Sequence, residues 1–266
     1  MQYKIVQPVS ELRQFIQYYW ELRGNEKAGQ WERVFPDGCA GVFVNLGDTC
    51  LTDNGLSTLE FGKTYVVGAM CNYKDSFITS DTHLIGACFR PGAFTYFYDQ
   101  YSREFLTNDT LELDDGSSFN LDKMIDRAYE YLNGFLWNRK RAKYNPMESI
   151  IHSITLSNKQ LSVQELASKN YISVRQLERQ FKKHIGLSPK EYLNIVRFQN
   201  AIKLIRKSDK RRSLLDIAFE CGYYDHSHFT SEIKRITGIL PSQLWNVAFL
   251  QGRDMKTELN LHKHSE

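Results

Sequence analysis

The feature that most constrains this fold is a segment outline that occurs twice in the second half of the chain. The stretch LERQFKKHIGLSP, beginning at Leu177, has the form of a helix that ends at a glycine and is followed by a proline. The outline returns in FTSEIKRITGILP, where its anchors recur 52 positions later: Leu177, Phe181, Gly186 and Pro189 correspond to Phe229, Ile233, Gly238 and Pro241. Two copies at a fixed offset predict one helical unit built twice.

A short helical pattern and a turn precede each copy. In the first copy the small residue Ala167 allows two helices to cross closely, and Ser173 with Gln176 is a capping box. In the second copy Gly222 supplies the positive φ of the turn and Asp225 is the next N-cap. Ala167 matches Ala218 at an offset of 51 rather than 52, so the second turn is predicted to be one residue longer. Each copy is thus a predicted helix-turn-helix, whose second helix enters the DNA major groove.

A long apolar pattern over residues 189–206 predicts a spacer helix between the two units. Its positions Tyr192, Leu193, Val196, Ala201, Leu204 and Ile205 are placed to touch both copies. A rigid spacer allows one chain to place two reading helices in successive major-groove segments, about 34 Å apart.

Charge divides the chain in the same way. Residues 1–120 carry 9 basic and 16 acidic side chains, whereas residues 150–250 carry 16 basic and 8 acidic ones. This asymmetry indicates that the second half meets a polyanion and the first half does not.

The first half has the pattern of a β-rich domain. Short apolar runs such as AGVFVNL and LIGACF alternate with turn formers, which predicts a sandwich or a cupin-like barrel over residues 1–120. Only the segment Val9 to Trp20 shows helical spacing there, and we predict a helix for it. The predicted fold class is therefore α+β, with a connecting helix and linker over 121–148, an all-helical domain over 149–250 and a flexible tail over 251–266. The apolar stripe of the connecting helix suits docking on its own domain or on a second copy.

Several classes of protein are disfavoured. The five cysteines have wide, irregular spacing, which fits neither a disulfide framework nor a close-paired zinc motif. No apolar run approaches the roughly 20 residues that span a bilayer, and the N-terminus lacks the apolar core of a signal peptide. We expect a cytoplasmic protein with no membrane contact, no metal and no cofactor.

The segment from LSVQELASKNYIS through FTSEIKRITGILPSQL resembles the DNA-binding region of the AraC/XylS family of bacterial transcription regulators. The likeness covers about residues 155–247 and includes both reading helices, both glycine-x-x-proline ends and the spacer helix. It implies double-stranded DNA as the main partner, with RNA polymerase as a further one. Ser231 stands where the family often has arginine, which implies a weaker contact in the second reading helix.

Helical geometry assigns roles on the two reading helices. The outward positions predicted to read bases are Arg175, Gln176, Glu178 and Arg179 in the first helix and His226, Ser227, Thr230 and Ser231 in the second. The predicted phosphate contacts are Lys182, Lys183, Lys234 and Arg235. A metal site at His226 and His228 is disfavoured, since only Asp225 lies at ligand spacing.

The first half also resembles a small β-rich domain that precedes this DNA-binding region in a subgroup of the family, through motifs such as Pro36-Asp37-Gly38 and Phe89-Arg90-Pro91-Gly92. The resemblance implies a module that senses a small molecule or controls self-association as a homodimer. Arg90 is a candidate clamp for an acidic ligand, but we favour its pairing with a carboxylate such as Asp37.

Catalytic roles for the first half find little support. A cupin-type metal enzyme needs several histidines, and His83 is the only one before residue 150. Cys39 and Cys88 have no base nearby in sequence and are predicted to be buried structural thiols. The prediction is a sequence-specific transcription regulator that is not an enzyme; the alternative is an adaptor whose basic half binds an acidic protein.

Overall fold

The N-terminal half is a sandwich of two antiparallel sheets. The computed structural model describes residues 1–98, 107–113, 118–141, 145–155, 161–208 and 212–246, so the predicted tail over 251–266 lies outside it. The six-stranded sheet has the order β1-β2-β9-β4-β7-β10 and the four-stranded sheet the order β3-β8-β5-β6. The strands are β1 (Gln2–Val6), β2 (Ile16–Arg23), β3 (Gln30–Val34), β4 (Gly41–Asn45), β5 (Cys50–Thr52), β6 (Ser57–Leu59), β7 (Thr64–Val67), β8 (Lys74–Ile78), β9 (His83–Phe89) and β10 (Thr110–Glu112).

The six-stranded sheet is covered on both faces, which explains its near-continuous apolar strands. One face packs against the four-stranded sheet through side chains such as Phe43 and Ile78. The opposite face, with Val42 and Val44, forms the main core. Every residue of β4 is buried, as expected for a strand with both faces covered.

The helix predicted over Val9 to Trp20 is wrong. The segment contains a single 3-10 turn at Ser10–Leu12 and then enters β2. The register of β2 against β9 shifts between Ile16 and Tyr18, because Gln17 is an extra residue in the strand. This bulge breaks the two-residue alternation and puts Ile16 and Tyr19 in the same core three residues apart, as are Leu12 and Phe15 before them, which imitates a helix.

Seven α-helices lie in the described residues from 121 onward. They are α1 (Leu121–Arg139), α2 (Met147–Thr155), α3 (Val163–Lys169), α4 (Val174–His184), α5 (Pro189–Lys207), α6 (Leu214–Glu220) and α7 (His226–Thr237). Helix α1 buries Met124, Leu132 and Leu136 in the main core of the N-terminal half, so its apolar stripe docks on its own domain. Helix α2 buries Met147 and Ile150 with the helices that follow it. The predicted α+β fold class is confirmed.

The helical half has two cores joined by α5. Tyr192, Leu193 and Ile195 of α5 pack with α3 and α4, whereas Phe198, Ala201, Ile202 and Ile205 pack with α6 and α7. The predicted spacer helix therefore serves both units along its length. None of the described helices is long and apolar enough to cross a membrane.

Candidate DNA-binding surface and N-terminal cavity

The first helix-turn-helix unit consists of α3 and α4 and is closed by reciprocal caps. The Ser173 Oγ accepts from the Gln176 N–H at 3.2 Å, and the Gln176 Oε1 accepts from the Ser173 N–H at 2.8 Å, as the predicted capping box requires. Ala167, Leu177 and Phe181 are buried between the two helices. The turn passes through Tyr171, which has a φ of 55° and is 97% exposed.

The outer face of α4 is polar and open. Lys183 is exposed, and so are the four predicted readers of this helix: Arg175, Gln176, Glu178 and Arg179. The Gln176 side chain uses its carbonyl oxygen in the cap, which leaves its amide nitrogen for a base. Lys182 is half-buried, and its Nζ donates to the Gly186 carbonyl at 3.2 Å, so it closes the end of its own helix.

The second unit, α6 and α7, repeats this scaffold with different details. Its turn takes five residues instead of four between the helices, as predicted, and Gly222 has the expected positive φ of 78°. Asp225 caps α7 by accepting from the His228 N–H at 2.7 Å. Phe229 and Ile233 are fully buried.

The outer face of α7 is less basic than that of α4. Exposed positions are His226, Ser227, Ser231, Lys234 and Arg235, while Thr230 is half-buried. The His228 ring lies over its own turn: its Nδ1 accepts from the Tyr224 N–H at 3.4 Å, and its Nε2 is 3.7 Å from Glu232. His228 therefore points at Glu232 rather than at His226.

The N-terminal sandwich holds the C-terminal end of α7. The Tyr73 N–H donates to the Ile236 carbonyl at 2.9 Å, and the Arg33 guanidinium donates to the Thr237 carbonyl at 3.1 Å. Arg33 is itself fixed by two 2.7 Å hydrogen bonds to Asp75 and by stacking on the Tyr73 ring. Since carbonyls at a helix end lack partners within the helix, these donors stabilise α7 in its place.

The loop between β3 and β4 contacts the spacer helix. Phe35 packs on Phe198 with ring centroids 6.1 Å apart, and the Pro36 carbonyl accepts from Gln199. Gly38 has a φ of 77°, and a Cβ atom there would lie 2.7 Å from the Tyr192 ring. Only glycine allows this approach of the loop to α5.

Between the two sheets lies a cavity of about 160 Å³ with mostly apolar walls. Its polar lining includes the side chains of Glu32, Lys74, Ser76 and Asp37. Lys74 is buried and forms an ion pair with Asp53. The same loop that contacts α5 closes one end of this cavity, through Asp37 and Cys39.

Asp37, Cys39 and Cys88 meet at that end. The Asp37 Oδ1 accepts from the Cys39 N–H at 2.9 Å, and its Oδ2 lies 3.9 Å from the Cys88 Sγ. Burial raises the pKa of Asp37 to about 6. The neighbouring Cys88 thiol, burial and the Asp37 carboxylate raise the pKa of Cys39. The thiols are buried as predicted, but they have a carboxylate partner, Asp37, which is two residues from Cys39 and distant in sequence only from Cys88.

The favoured pairing of Arg90 with Asp37 is wrong. Arg90 is exposed, and its Nε donates to the Arg13 carbonyl at 2.6 Å. The strand β9 ends at Phe89, so Arg90 lies beyond the sheet and turns away from the cavity that holds Asp37. It lines a separate cleft of about 350 Å³ between the two halves, together with Tyr96, Glu148 and His152.

Comparison with known proteins divides the chain at the same place as its charge does. A family model described as "Helix-turn-helix domain" matches residues 166–246. A second model, described as "Domain of unknown function (DUF6597)", matches residues 4–112.

Transcriptional activators are among the relatives that match. The chain is 39% identical over 94 residues to the "HTH-type transcriptional activator RhaS" of Escherichia fergusonii, covering 35% of this chain and 31% of that protein. It is 41% identical over 91 residues to RhaS of Klebsiella pneumoniae, covering 34% of this chain and 30% of that one. The chain thus spans about a third of the length of these relatives. The solved structure of ToxT from Vibrio cholerae aligns over 92% of this chain and 97% of ToxT, at 11% identity and a TM-score of 0.48.

Proposed function

We propose that this chain is a sequence-specific DNA-binding transcription regulator of the AraC/XylS type, on the support of its helix-turn-helix domain and its likeness to the RhaS activators. The observation that carries the proposal is the pair of helix-turn-helix units packed on one continuous spacer helix, each with an exposed outer face on its second helix. One chain then reads two successive major-groove segments. Bound at a promoter, it recruits or blocks RNA polymerase.

We assign base reading mainly to α4. Arg175 and Arg179 are exposed and carry the forked donors that pair with guanine, while Glu178 accepts from cytosine and the Gln176 amide donates. His226, Ser227, Thr230 and Ser231 supply the weaker reading face of α7. Lys183 and Lys234 suit phosphate contact. Lys182 does so only after releasing the Gly186 carbonyl, and Arg235 only after releasing the Asn72 Oδ1, 3.4 Å from its guanidinium.

We assign regulation to the N-terminal half. Its cavity lies against the loop that contacts α5, and its strand β3 supplies Arg33, which holds the end of α7. A small molecule in the cavity would therefore act directly on the element that positions both reading helices. The N-terminal half could also regulate the helical half by self-association, as a homodimer. Arg90, which lines the cleft between the halves, remains the candidate clamp for an acidic effector there.

The first test is the sequence preference of the full chain on duplex DNA. Arg179→Ala should cost about 1–3 kcal/mol and blur preference at one base pair, whereas Lys183→Ala should weaken all sequences equally. If roughly six phosphates are neutralised, log affinity falls with log salt with a slope of about −5. The matched control is Arg127→Ala on α1, whose side chain is 78% exposed. It should change none of these quantities.

The same measurement discriminates against an adaptor that binds an acidic protein. An adaptor with a basic face shows salt-dependent retention of DNA but no sequence preference, in wild type or variants. Unchanged preference in Arg179→Ala removes that residue as a reader, and absent preference in the wild type removes the proposed function.

A further inference from the structure

Three metal-ligating groups converge at the end of the cavity that faces the spacer helix. The Asp37 carboxylate and the thiols of Cys39 and Cys88 offer donor atoms that all lie within 4.8 Å of one another. The fold brings them together because β4 pairs with β9 and sets Gly41 opposite Cys88, two residues beyond Cys39. The DNA-binding role makes no use of this cluster.

A fourth donor reaches the cluster from the bulge in β2. Gln17 is the extra residue of that strand, and its Oε1 lies 3.1 Å from the Cys39 Sγ. Bulges re-aim single side chains, and here the bulge turns an amide oxygen towards the thiols. The neighbouring strand position, Tyr18, pairs with Cys88 and lines the same cavity.

The cluster also lacks a compensating positive charge. Within the described residues no lysine or arginine forms an ion pair with Asp37, and Lys74, in the same cavity, is paired with Asp53. Hydrogen bonds such as that from the Cys39 N–H offset part of the cost of removing this carboxylate from water, and a cation would offset more of it. As thiolates, the two adjacent cysteines would add further negative charge beside the carboxylate and so increase the need for a cation.

We propose that Asp37, Cys39 and Cys88 form a binding site for a thiophilic divalent cation of the Zn²⁺ type, with the Gln17 Oε1 at the fourth position. Two sulfurs and two oxygens suit a borderline d¹⁰ ion and disfavour Mg²⁺ or Ca²⁺, which take oxygen alone. Tetrahedral Zn²⁺ holds its ligand atoms roughly 3.3–3.8 Å apart, so the donors must draw together by about 1 Å. Asp37 and Cys39 lie in a loop, where such a shift is easiest.

Because of where the site lies, its occupancy should affect DNA binding; this step rests on the proposed function. Gly38 lies between the ligands Asp37 and Cys39 and touches the buried Tyr192 ring of α5. Drawing the two ligands together moves the loop against the helix that spaces the two DNA-reading units. The bound cation therefore changes DNA affinity, in addition to stabilising the sandwich.

The binding claim is tested on the full reduced chain with Co²⁺ as a spectroscopic probe and Zn²⁺ in competition with a chromophoric chelator. We expect one ion per chain and a thiolate-to-Co²⁺ charge-transfer band in the near ultraviolet. Cys88→Ser should remove most of the band and weaken Zn²⁺ binding by more than the roughly 10- to 100-fold that loss of an outer partner costs. Asp37→Asn, which keeps the side-chain shape, should weaken binding while leaving the far-ultraviolet circular dichroism unchanged.

Cys50→Ser is the matched control, since Cys50 is a buried cysteine of the other sheet outside the cluster. It should bind Zn²⁺ as the wild type does. Equal binding by wild type and a Cys39→Ser, Cys88→Ser double variant overturns the proposal. So does formation of a Cys39–Cys88 disulfide in air by a chain that binds no Zn²⁺ when reduced, because the thiols are then a redox pair.

DNA binding is measured separately with and without Zn²⁺. A Zn²⁺-dependent change in affinity that Cys88→Ser abolishes supports the coupling to α5. Zn²⁺ binding with unchanged DNA affinity removes the coupling and leaves the site. Absence of specific DNA binding, with intact Zn²⁺ binding, removes the proposed function and not the metal site.

Discussion

The two helix-turn-helix units have one scaffold but differ in what surrounds their second helices. Helix α4 presents two arginines and a glutamate, and the Gly186 carbonyl beyond its end accepts from its own Lys182 at 3.2 Å and from Thr107 of the N-terminal half at 3.0 Å. Helix α7 presents histidine, serine and threonine, and its end is held by Tyr73 and Arg33 of the sandwich.

This difference points to a division of roles. The first unit carries the side chains to which we assign base reading, while the end of the second unit's reading helix is held by donors of the sandwich. The N-terminal half also contacts the first unit, through Thr107 at the Gly186 carbonyl and through Gly38 at Tyr192. The two units thus keep one core but differ in the surfaces of their second helices. Substitutions in corresponding places of the two units should therefore have different consequences.

The largest expected effect comes from emptying the core of one unit. Phe181→Ala in α4 should lower stability by about 3–5 kcal/mol, and Ile233→Ala, at the equivalent place in α7, by about 2–5 kcal/mol, since both side chains are fully buried. Hydrogen exchange followed by mass spectrometry should show each loss centred on its own unit. Tyr171→Ala, at an exposed position, is the control. Equal loss of protection in both units would mean that they unfold together through α5, and would contradict their energetic independence.

The next largest effect concerns the hydrogen bond from Arg33 of the sandwich to the end of α7. Arg33→Ala leaves Asp75 and the Thr237 carbonyl without their donor and should cost about 1–3 kcal/mol. Amide exchange should rise in the last turn of α7 and stay unchanged in α4. The control is Arg23→Ala, which removes a 55% exposed partner of Glu21 and should change stability by less than about 0.5 kcal/mol. A matching rise in α4 would show that Arg33 acts on the fold as a whole.

The helix caps should give a smaller difference. Ser173→Ala breaks a reciprocal capping box and Asp225→Ala removes a single acceptor, each at a cost of about 0.5–2 kcal/mol. Because the Ser173 Oγ both accepts from the Gln176 N–H and donates to the Gln176 Oε1, Ser173→Ala removes two hydrogen bonds and should cost more. Denaturant midpoints of the two variants measure this order, and the reverse order contradicts it.

The smallest effect lies in the turns. Gly222→Ala places a side chain at a φ of 78° and should destabilise the second unit by about 1 kcal/mol. Tyr171→Gly relieves the same left-handed conformation in the first unit, at a φ of 55°, and should be neutral or stabilising. Thermal unfolding of the two variants measures this difference in stability. A stabilising Gly222→Ala would show that the turn conformation is misassigned.

The helical half could be predicted from the sequence because its caps, turns and apolar periods are local patterns. The capping box at Ser173, the glycine at 222 and the longer second turn all follow from short spacings along the chain, and the structure confirms them. The division of α5 between two cores also followed, since a helix has a fixed period.

Less of the sandwich could be predicted from the sequence, because its contacts join segments that are distant along the chain. The bulge at Gln17 made a strand imitate a helix, and the pairing of β4 with β9 placed Cys88 beside Asp37, against the expectation that Arg90 would be its partner. No local pattern announces that Arg33 reaches the end of a helix about 200 residues later. The contacts that link the two halves therefore came from the structure alone.

The most direct test of the central claim is the spacing of protected bases on DNA selected by the full chain. Two rigidly spaced reading helices predict two protected blocks whose centres are about 10–10.5 base pairs apart on one face of the duplex. Arg179→Ala should relax preference in one block and leave the other intact. A single continuous block, or loss of preference in both blocks from that one substitution, would contradict the account.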